Sequence, residues 1–154
     1  MKKLLYALFV ILISQEMNAQ TYEYQILTSV ESIVPGGIGR SRLIANTAQR
    51  DFNDFTSKRT TENDERNKSK RSEIRVKDFE ETKMLNFFNL GGIRFQNIAS
   101  NDAIISSKIN ALAAQGWELA FVTSGVESFA GKGDSNGIFV TRYILKRKVG
   151  TSEE

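Results

Sequence analysis

Two stretches of this chain are similar enough to predict the same local structure twice. The first, YEYQILTSVES, begins at Tyr22, and the second, WELAFVTSGVES, begins at Trp117. Each leads through a glycine-containing segment into a further apolar run, GIGRSRLI after the first and NGIFVTRYIL after the second. Strand-like residues on either side of a turn signal predict a β-hairpin. The chain is therefore expected to contain two similar hairpins, and the rest of the fold must accommodate both.

The first copy also predicts which side of its strand is buried. Tyr22, Tyr24 and Ile26 lie on one side of the alternating pattern, polar residues lie on the other, and Leu27 is an exception. Because successive side chains of a strand point to opposite faces, we expect the tyrosine side to meet the core. In the second copy, the inserted Gly125 predicts a β-bulge.

A change of hydrophobic period predicts one main helix before the second hairpin. Its apolar stripe consists of Ile105, Ile109 and Leu112. Ser100 or Asn101 is placed to cap the start, and Gly116 is placed to end the helix, with Trp117 packing back on the last turn. Two hairpins and one helix predict an α+β fold, in which an antiparallel sheet of about four strands carries the helix on one face.

The N-terminal segment has the layout of a secretory signal peptide. Two lysines precede an apolar run from Leu4 to Ile13, and Ala19 suits the last position before a cleavage site. The run is too short to span a bilayer, which takes about 20 residues. We expect a signal peptide over 1–19, a single domain over 20–154, and a secreted or periplasmic protein without stable membrane insertion. The alternative is a retained N-terminal membrane anchor.

A charged segment interrupts the domain between Ser57 and Glu73. Its sequence, SKRTTENDERNKSKRSE, contains no apolar residue and mixes both charge signs, which predicts a mobile, solvated loop. A nucleic-acid-binding arm is the alternative. The formal net charge of the chain is only +3, which provides little long-range attraction for nucleic acid, so we expect no nucleic-acid partner.

The absence of two residue types excludes several kinds of chemistry. The chain contains neither His nor Cys, which removes Ser-His-Asp and Cys-His nucleophiles, disulfides and most transition-metal sites. The segment GKGDSNG is similar to a phosphate-binding loop, but it connects two expected strands, whereas a phosphate-binding loop leads from a strand into a helix. We therefore predict no catalytic residue, no metal site and no cofactor.

Charged residues of the two expected hairpins are the candidate site. If the residues VPGG close a tight turn, Glu31 faces Arg40 across the strands and Ser29 faces Arg42. One interpretation is a set of cross-strand charge pairs that stabilise the sheet. The other is a polar patch on the outer sheet face that binds an anionic or saccharide ligand. The residues of this candidate site are Glu31, Arg40, Arg42, Glu127 and Arg142.

Three segments carry a resemblance to a known family. They are an aromatic-Glu-aromatic first strand, YEY, a helix that ends in GWEL, and a last strand that ends in YILKRK. In these segments, Tyr22–Leu27, Asn101–Phe121 and Phe139–Lys148, the chain resembles the small bacterial family catalogued as domain of unknown function 4177. It departs from that family in a long insertion between the first strand and the helix. The resemblance implies a strand-helix-strand-strand fold and no activity, because the family has no catalytic residues to carry over.

Together these features predict an exported, non-enzymatic binding or protein-interaction module of the cell envelope. Its partner would be an envelope protein or a polar ligand that meets the sheet face or an edge strand, and self-assembly through exposed sheet edges is a further option. The alternative is an envelope enzyme that acts on glycans through the carboxylate pair of Glu31 and Glu127.

Overall fold

The computed structural model describes residues 21–32, 41–89, 91–127 and 137–149. Seven strands, two α-helices and one 3-10 turn form within these ranges. The elements are β1 (Tyr22–Ser32), β2 (Arg42–Asn46), the 3-10 turn (Phe52–Phe55), α1 (Arg71–Ile74), β3 (Phe79–Lys83), β4 (Phe88–Asn89), β5 (Gly92–Ile93), α2 (Phe95–Ala113), β6 (Glu118–Glu127) and β7 (Ile138–Lys148). The expected signal peptide, the VPGG turn, Arg40 and most of GKGDSNG lie outside the described residues.

Five strands form one antiparallel sheet in the order β3-β2-β1-β7-β6. Both pairs of repeated segments are antiparallel neighbours, β1 with β2 and β6 with β7, and the long β1–β7 pairing joins them. The α+β prediction is therefore confirmed, with β3 as an additional strand. The short strands β4 and β5 pair only with each other among the described residues.

Helix α2 covers one face of the sheet, called here the helix face. The buried core consists of Leu27, Leu43, Ala45, Met84, Ile105, Leu112, Trp117 and Leu145. The helical stripe was predicted correctly, since Ile105 and Leu112 are buried and Ile109 packs against them. None of the helices in the described ranges is long and apolar enough to cross a membrane.

The prediction of the buried side of β1 was wrong. Leu27 is 1% exposed, whereas Tyr24 and Ile26 are 64% and 46% exposed on the opposite face. The pairing of the neighbouring strands explains the reversal, because the strand positions beside Leu27 bring further buried residues, among them Ala45, to its face. The face that carries Tyr24, Ile26, Ile44, Phe121 and Ile144 has no helix over it in the described residues, and we call it the open face.

The end of α2 was predicted correctly, but its start was not. Gly116 has a φ of +85°, and Trp117 N–H donates to the Leu112 carbonyl at 3.1 Å, as in a Schellman ending. The helix begins at Phe95, not near Ser100, and its N-cap residue makes no side-chain capping bond. No capping residue therefore signals the true start.

The edge strands β3 and β6 complete the sheet. The register shifts by one residue at Ala120, between Leu119 and Phe121, whereas Gly125 pairs regularly with Val140. The prediction of a β-bulge at Gly125 was therefore wrong, and the one irregularity of the β6–β7 pairing lies at Ala120. The segment 57–73 is almost entirely exposed, as expected for a solvated loop, and it contains the start of α1, where Lys70 N–H donates to Glu73 Oε2 at 2.9 Å.

Candidate functional site

The structure separates the predicted site residues between the two faces of the sheet. Arg42, Arg142 and Glu127 lie on the open face, whereas Glu31 lies on the helix face. Arg40 lies outside the described residues. The four described residues therefore do not form one patch, although three of them share a surface.

The register between β1 and β2 explains this separation. Arg42 lies opposite Val30, and Ser29 lies opposite Leu43, so the predicted pairing of Ser29 with Arg42 was wrong by one residue. A shift of one residue moves a side chain to the other face of a sheet. Arg42 consequently shares no face with Glu31.

Arg42 instead pairs with a residue of the additional strand β3. Its Nε lies 2.6 Å from Glu81 Oε1, and its Nη1 donates to the Ser41 carbonyl at 2.7 Å. The Glu81 carboxylate is about half exposed, and pairs of this kind contribute roughly 0–1 kcal/mol to stability. Arg42 therefore forms a cross-strand ion pair, but with Glu81 of β3 and not beside Ser29 of β1.

Glu31 accepts a hydrogen bond from a buried amide of α2. Asn101 Nδ2 donates to Glu31 Oε1 at 2.9 Å, and the same amide group bonds the N–H and the C=O of Leu85 at 2.8 and 2.7 Å. Since Glu31 lies under the helix and Glu127 on the open face, the two carboxylates do not form the pair on which a glycan-acting enzyme was considered.

A small cleft of about 260 Å³ lies beside this network on the helix face. Its lining residues are Glu31, Phe87, Ile98, Asp102, Ser124, Phe139 and Thr141. The rings of Phe87 and Phe139 pack against each other with centroids 5.6 Å apart. Burial raises the pKa of the nearby Tyr143 hydroxyl above 10.0, and the carboxylates of Glu31 and Asp102 raise it further. The phenol therefore stays neutral beside these acidic groups.

The open face carries several exposed apolar side chains. Its apolar residues are Tyr22, Tyr24, Ile26, Val30, Ile44, Phe79, Phe121, Ile138, Val140 and Ile144. Phe121 is 61% exposed, close to the value for Tyr24, and Phe79 is 46% exposed. Contiguous apolar patches on a protein surface mark interaction sites more often than isolated exposed residues do.

Three cations without an acidic partner among the described residues lie on this surface. Arg142 lies between Thr28 and Thr123 near the centre of the open face, and Lys83 and Lys148 lie on two of its strands. None of these three side chains forms an ion pair within the described ranges. The open face therefore combines apolar area with positive charge.

A groove of about 460 Å³ opens beside the first half of β1. Its lining residues are Glu23, Tyr24, Gln25, Ile26, Thr28, Ile44, Asn46, Thr47, Ala48, Gln49 and Trp117. It forms where β2 ends at Asn46, whose Oδ1 accepts the Ala48 N–H at 3.2 Å as the chain turns away from β1. Its volume lies within the range of about 300–1,000 Å³ that is typical of ligand pockets.

No family model, curated protein or solved structure matches this chain. Its function therefore has to be argued from the surfaces described above.

Arg147 makes three contacts beside the groove, two of them with residues that line it. The Arg147 guanidinium lies over the Trp117 ring at 4.6 Å, pairs with Glu23 at 2.7 Å and donates to the Gln115 carbonyl at 3.1 Å. One side chain thus joins β7, β1 and the end of α2. Trp117 and Glu23, two residues that line the groove, are therefore positioned by contacts within the protein.

The positions of Asn101 and Tyr24 differ from those that the sequence predicted. Asn101 was read as a cap and Tyr24 as a core residue, whereas the first is a buried link and the second is a prominent exposed aromatic. A polar residue at a position of the helical stripe was the available signal for Asn101, which lies four residues before Ile105.

Proposed function

We propose that the chain is an exported, non-enzymatic binding module that holds a protein partner of the cell envelope on its open face. The observation that supports this most is the exposure of Tyr24, Ile26 and Phe121 on a sheet face that no described helix covers, beside a groove. Exposed aromatic residues are the side chains that contribute most to protein interfaces. The export step is supported by the signal-peptide layout of residues 1–19.

The charges on the open face define the chemistry of the partner. Arg142, Lys83 and Lys148 have no acidic partner among the described residues, so a bound surface with carboxylates near its apolar centre would complete them. The groove would take one apolar anchor side chain against Tyr24 and Ile26. The partner is therefore a protein surface with an apolar anchor, one carboxylate near its centre to meet Arg142, and further carboxylates to meet Lys83 and Lys148.

Site-specific crosslinking in envelope preparations tests this proposal. A photo-crosslinking residue at Thr123, in the open face, should capture one partner, whereas the same residue at Ser106, on the exposed side of α2, should not. Equal capture at the two positions, or none at Thr123, would contradict the proposal.

Affinity measurements with the captured partner give the second readout. Phe121→Ser and Tyr24→Ser should each weaken binding by about tenfold or more, as expected for central aromatic residues. Phe95→Ser is the matched control, because Phe95 is 77% exposed at the start of α2, away from the open face. A similar loss in the control variant would mean that the open face is not the binding surface.

A further inference from the structure

The two edge strands of the sheet differ in how well they are protected. β3 is five residues long, and three of those residues are charged, with Glu80 paired to Lys108 and Glu81 paired to Arg42. β6 is ten residues long, all of them exposed, and its charged residues lie only at its two ends. Natural sheets blunt their edges with short strands and charges, because an open edge is a template for pairing with another chain. β3 has this protection, whereas β6 has only the bulge at Ala120 near its start, followed by a regular uncharged stretch from Phe121 to Val126.

The hydrogen-bond pattern shows which groups of β6 are available. Val149 N–H donates to the Thr21 carbonyl at 3.0 Å, so the odd-numbered residues of β7 bond toward β1 and the even-numbered ones toward β6. Thr123 lies opposite Arg142 and therefore bonds toward β7. The N–H and C=O groups of its neighbours Val122 and Ser124 point away from β7, to an edge that no other described strand pairs with.

We infer that β6 pairs antiparallel with β6 of a second copy of this chain. Between the terminal residues Glu118 and Glu127 the strand contains no charge, so two identical strands meet along this stretch without like-charge repulsion. An antiparallel pair of identical strands is a closed two-fold contact, so the β6 edges of both copies are paired and neither remains open. The second copy provides β6 itself as the pairing strand, so this dimer requires no other protein.

The side chains along β6 fit this arrangement. Leu119, Val122 and Val126 lie on the helix face and remain about half exposed, because α2 does not cover them. In an antiparallel pair the corresponding row of the second copy lies beside them on the same face, and cross-strand apolar pairs stabilise a sheet. The two-fold axis runs through the sheet, so both open faces point to the same side of the dimer. This inference does not depend on the proposed partner.

The mass of the protein lacking residues 1–19, measured by sedimentation equilibrium, is the first test. The unmodified protein should have twice the mass of one chain. Ser124→Pro should restore the mass of one chain with an unchanged circular dichroism spectrum, because the proline removes an outward N–H and no bond to β7. Lys83→Pro, at an outward position of β3, is the matched control and should remain a dimer.

Amide exchange in the unmodified protein gives a readout that does not depend on how any variant folds. The amides of Val122 and Val126 should be protected from exchange at concentrations where the dimer forms and should lose protection on dilution. A single-chain mass at every concentration would overturn the inference. So would a dimer in which these amides exchange freely, or one that Ser124→Pro leaves intact or Lys83→Pro dissociates equally.

Discussion

Asn101 connects three parts of the molecule through one side chain. Its amide bonds the backbone of Leu85 in both directions and also donates to Glu31, and it is completely buried. A second amide extends the network, since Asn97 Nδ2 donates to the Asn86 carbonyl at 2.7 Å. These bonds fix the segment after β3 against both the helix and the central strand. Buried polar groups stabilise a fold when every donor and acceptor has a partner, and they weaken it strongly when one is lost.

Replacing this amide should destabilise the protein far more than its size suggests. Asn101→Ala leaves the N–H and C=O of Leu85 without their partner, so the free energy of unfolding should fall by about 2–4 kcal/mol. Chemical denaturation measures the loss. Asn110→Ala, at an exposed position of the same helix, is the control and should be neutral or slightly stabilising. A small loss for Asn101→Ala would show that the network is not structurally important.

Tyr143 makes the stability sensitive to alkaline pH. Burial and the neighbouring carboxylates raise its pKa above 10.0, so the folded state keeps the phenol proton after the unfolded chain has released it. The stabilisation is complete below the unfolded pKa and is lost as the pH rises through the folded pKa. Stability should therefore decline above about pH 10, and Tyr143→Phe should reduce that decline.

The role of Tyr143 is tested by denaturation midpoints measured between about pH 8 and pH 11 for the wild-type protein and for Tyr143→Phe. The difference between the two proteins isolates Tyr143 from the lysines that titrate in the same range. If the two midpoints fall in parallel, Tyr143 does not cause the alkaline loss.

The end of α2 and the strand that follows it were predictable because their signals are local. Gly116 adopts the left-handed backbone conformation that ends the helix, and Trp117 follows it directly in the chain. The start of α2 and strand β3 were not predictable from local sequence. β3 has the sequence FEETK, which contains little apolar side-chain area, and it forms because β2 offers an edge and because ion pairs hold its glutamates. Contacts of this kind join distant segments, so they cannot be predicted from a short stretch of sequence.

Two glycine substitutions separate a conformational requirement from a mere preference. Gly116→Ala should lower the free energy of unfolding by about 1–2 kcal/mol, because a side chain disfavours the left-handed conformation. Space is not the reason, since a Cβ at this position would lie an ordinary 3.5 Å from the Arg147 side chain. Gly125→Ala is the control, because Gly125 has no positive φ and a Cβ there would contact nothing within 4 Å. Thermal and chemical unfolding should show a loss for the first variant and little change or a gain for the second.

The fold class was predictable from the repeated hairpins, whereas the surface that we propose for binding was not. Hydrophobic alternation gave Tyr22, Tyr24 and Ile26 as the buried side of β1, because they form the more apolar row. Which row is buried depends on where the helix lies and on the register of the neighbouring strands, and both are set by contacts between distant segments. The row of Tyr22, Tyr24 and Ile26 lies on the open face, which no described helix covers and which we propose as the binding surface.

The same sheet order has a consequence for how the chain reaches this structure. β1 is the central strand, and its longest partner is β7, so Tyr22 pairs with Lys148 although almost the whole domain separates them in sequence. Contacts between distant residues must overcome a large loop-closure entropy before they stabilise anything, and folding slows accordingly. The sheet can close around its centre only after β7 has been synthesised. Until then the chain has no partner for one whole side of β1, and the core that packs on Leu27 and Leu145 cannot form.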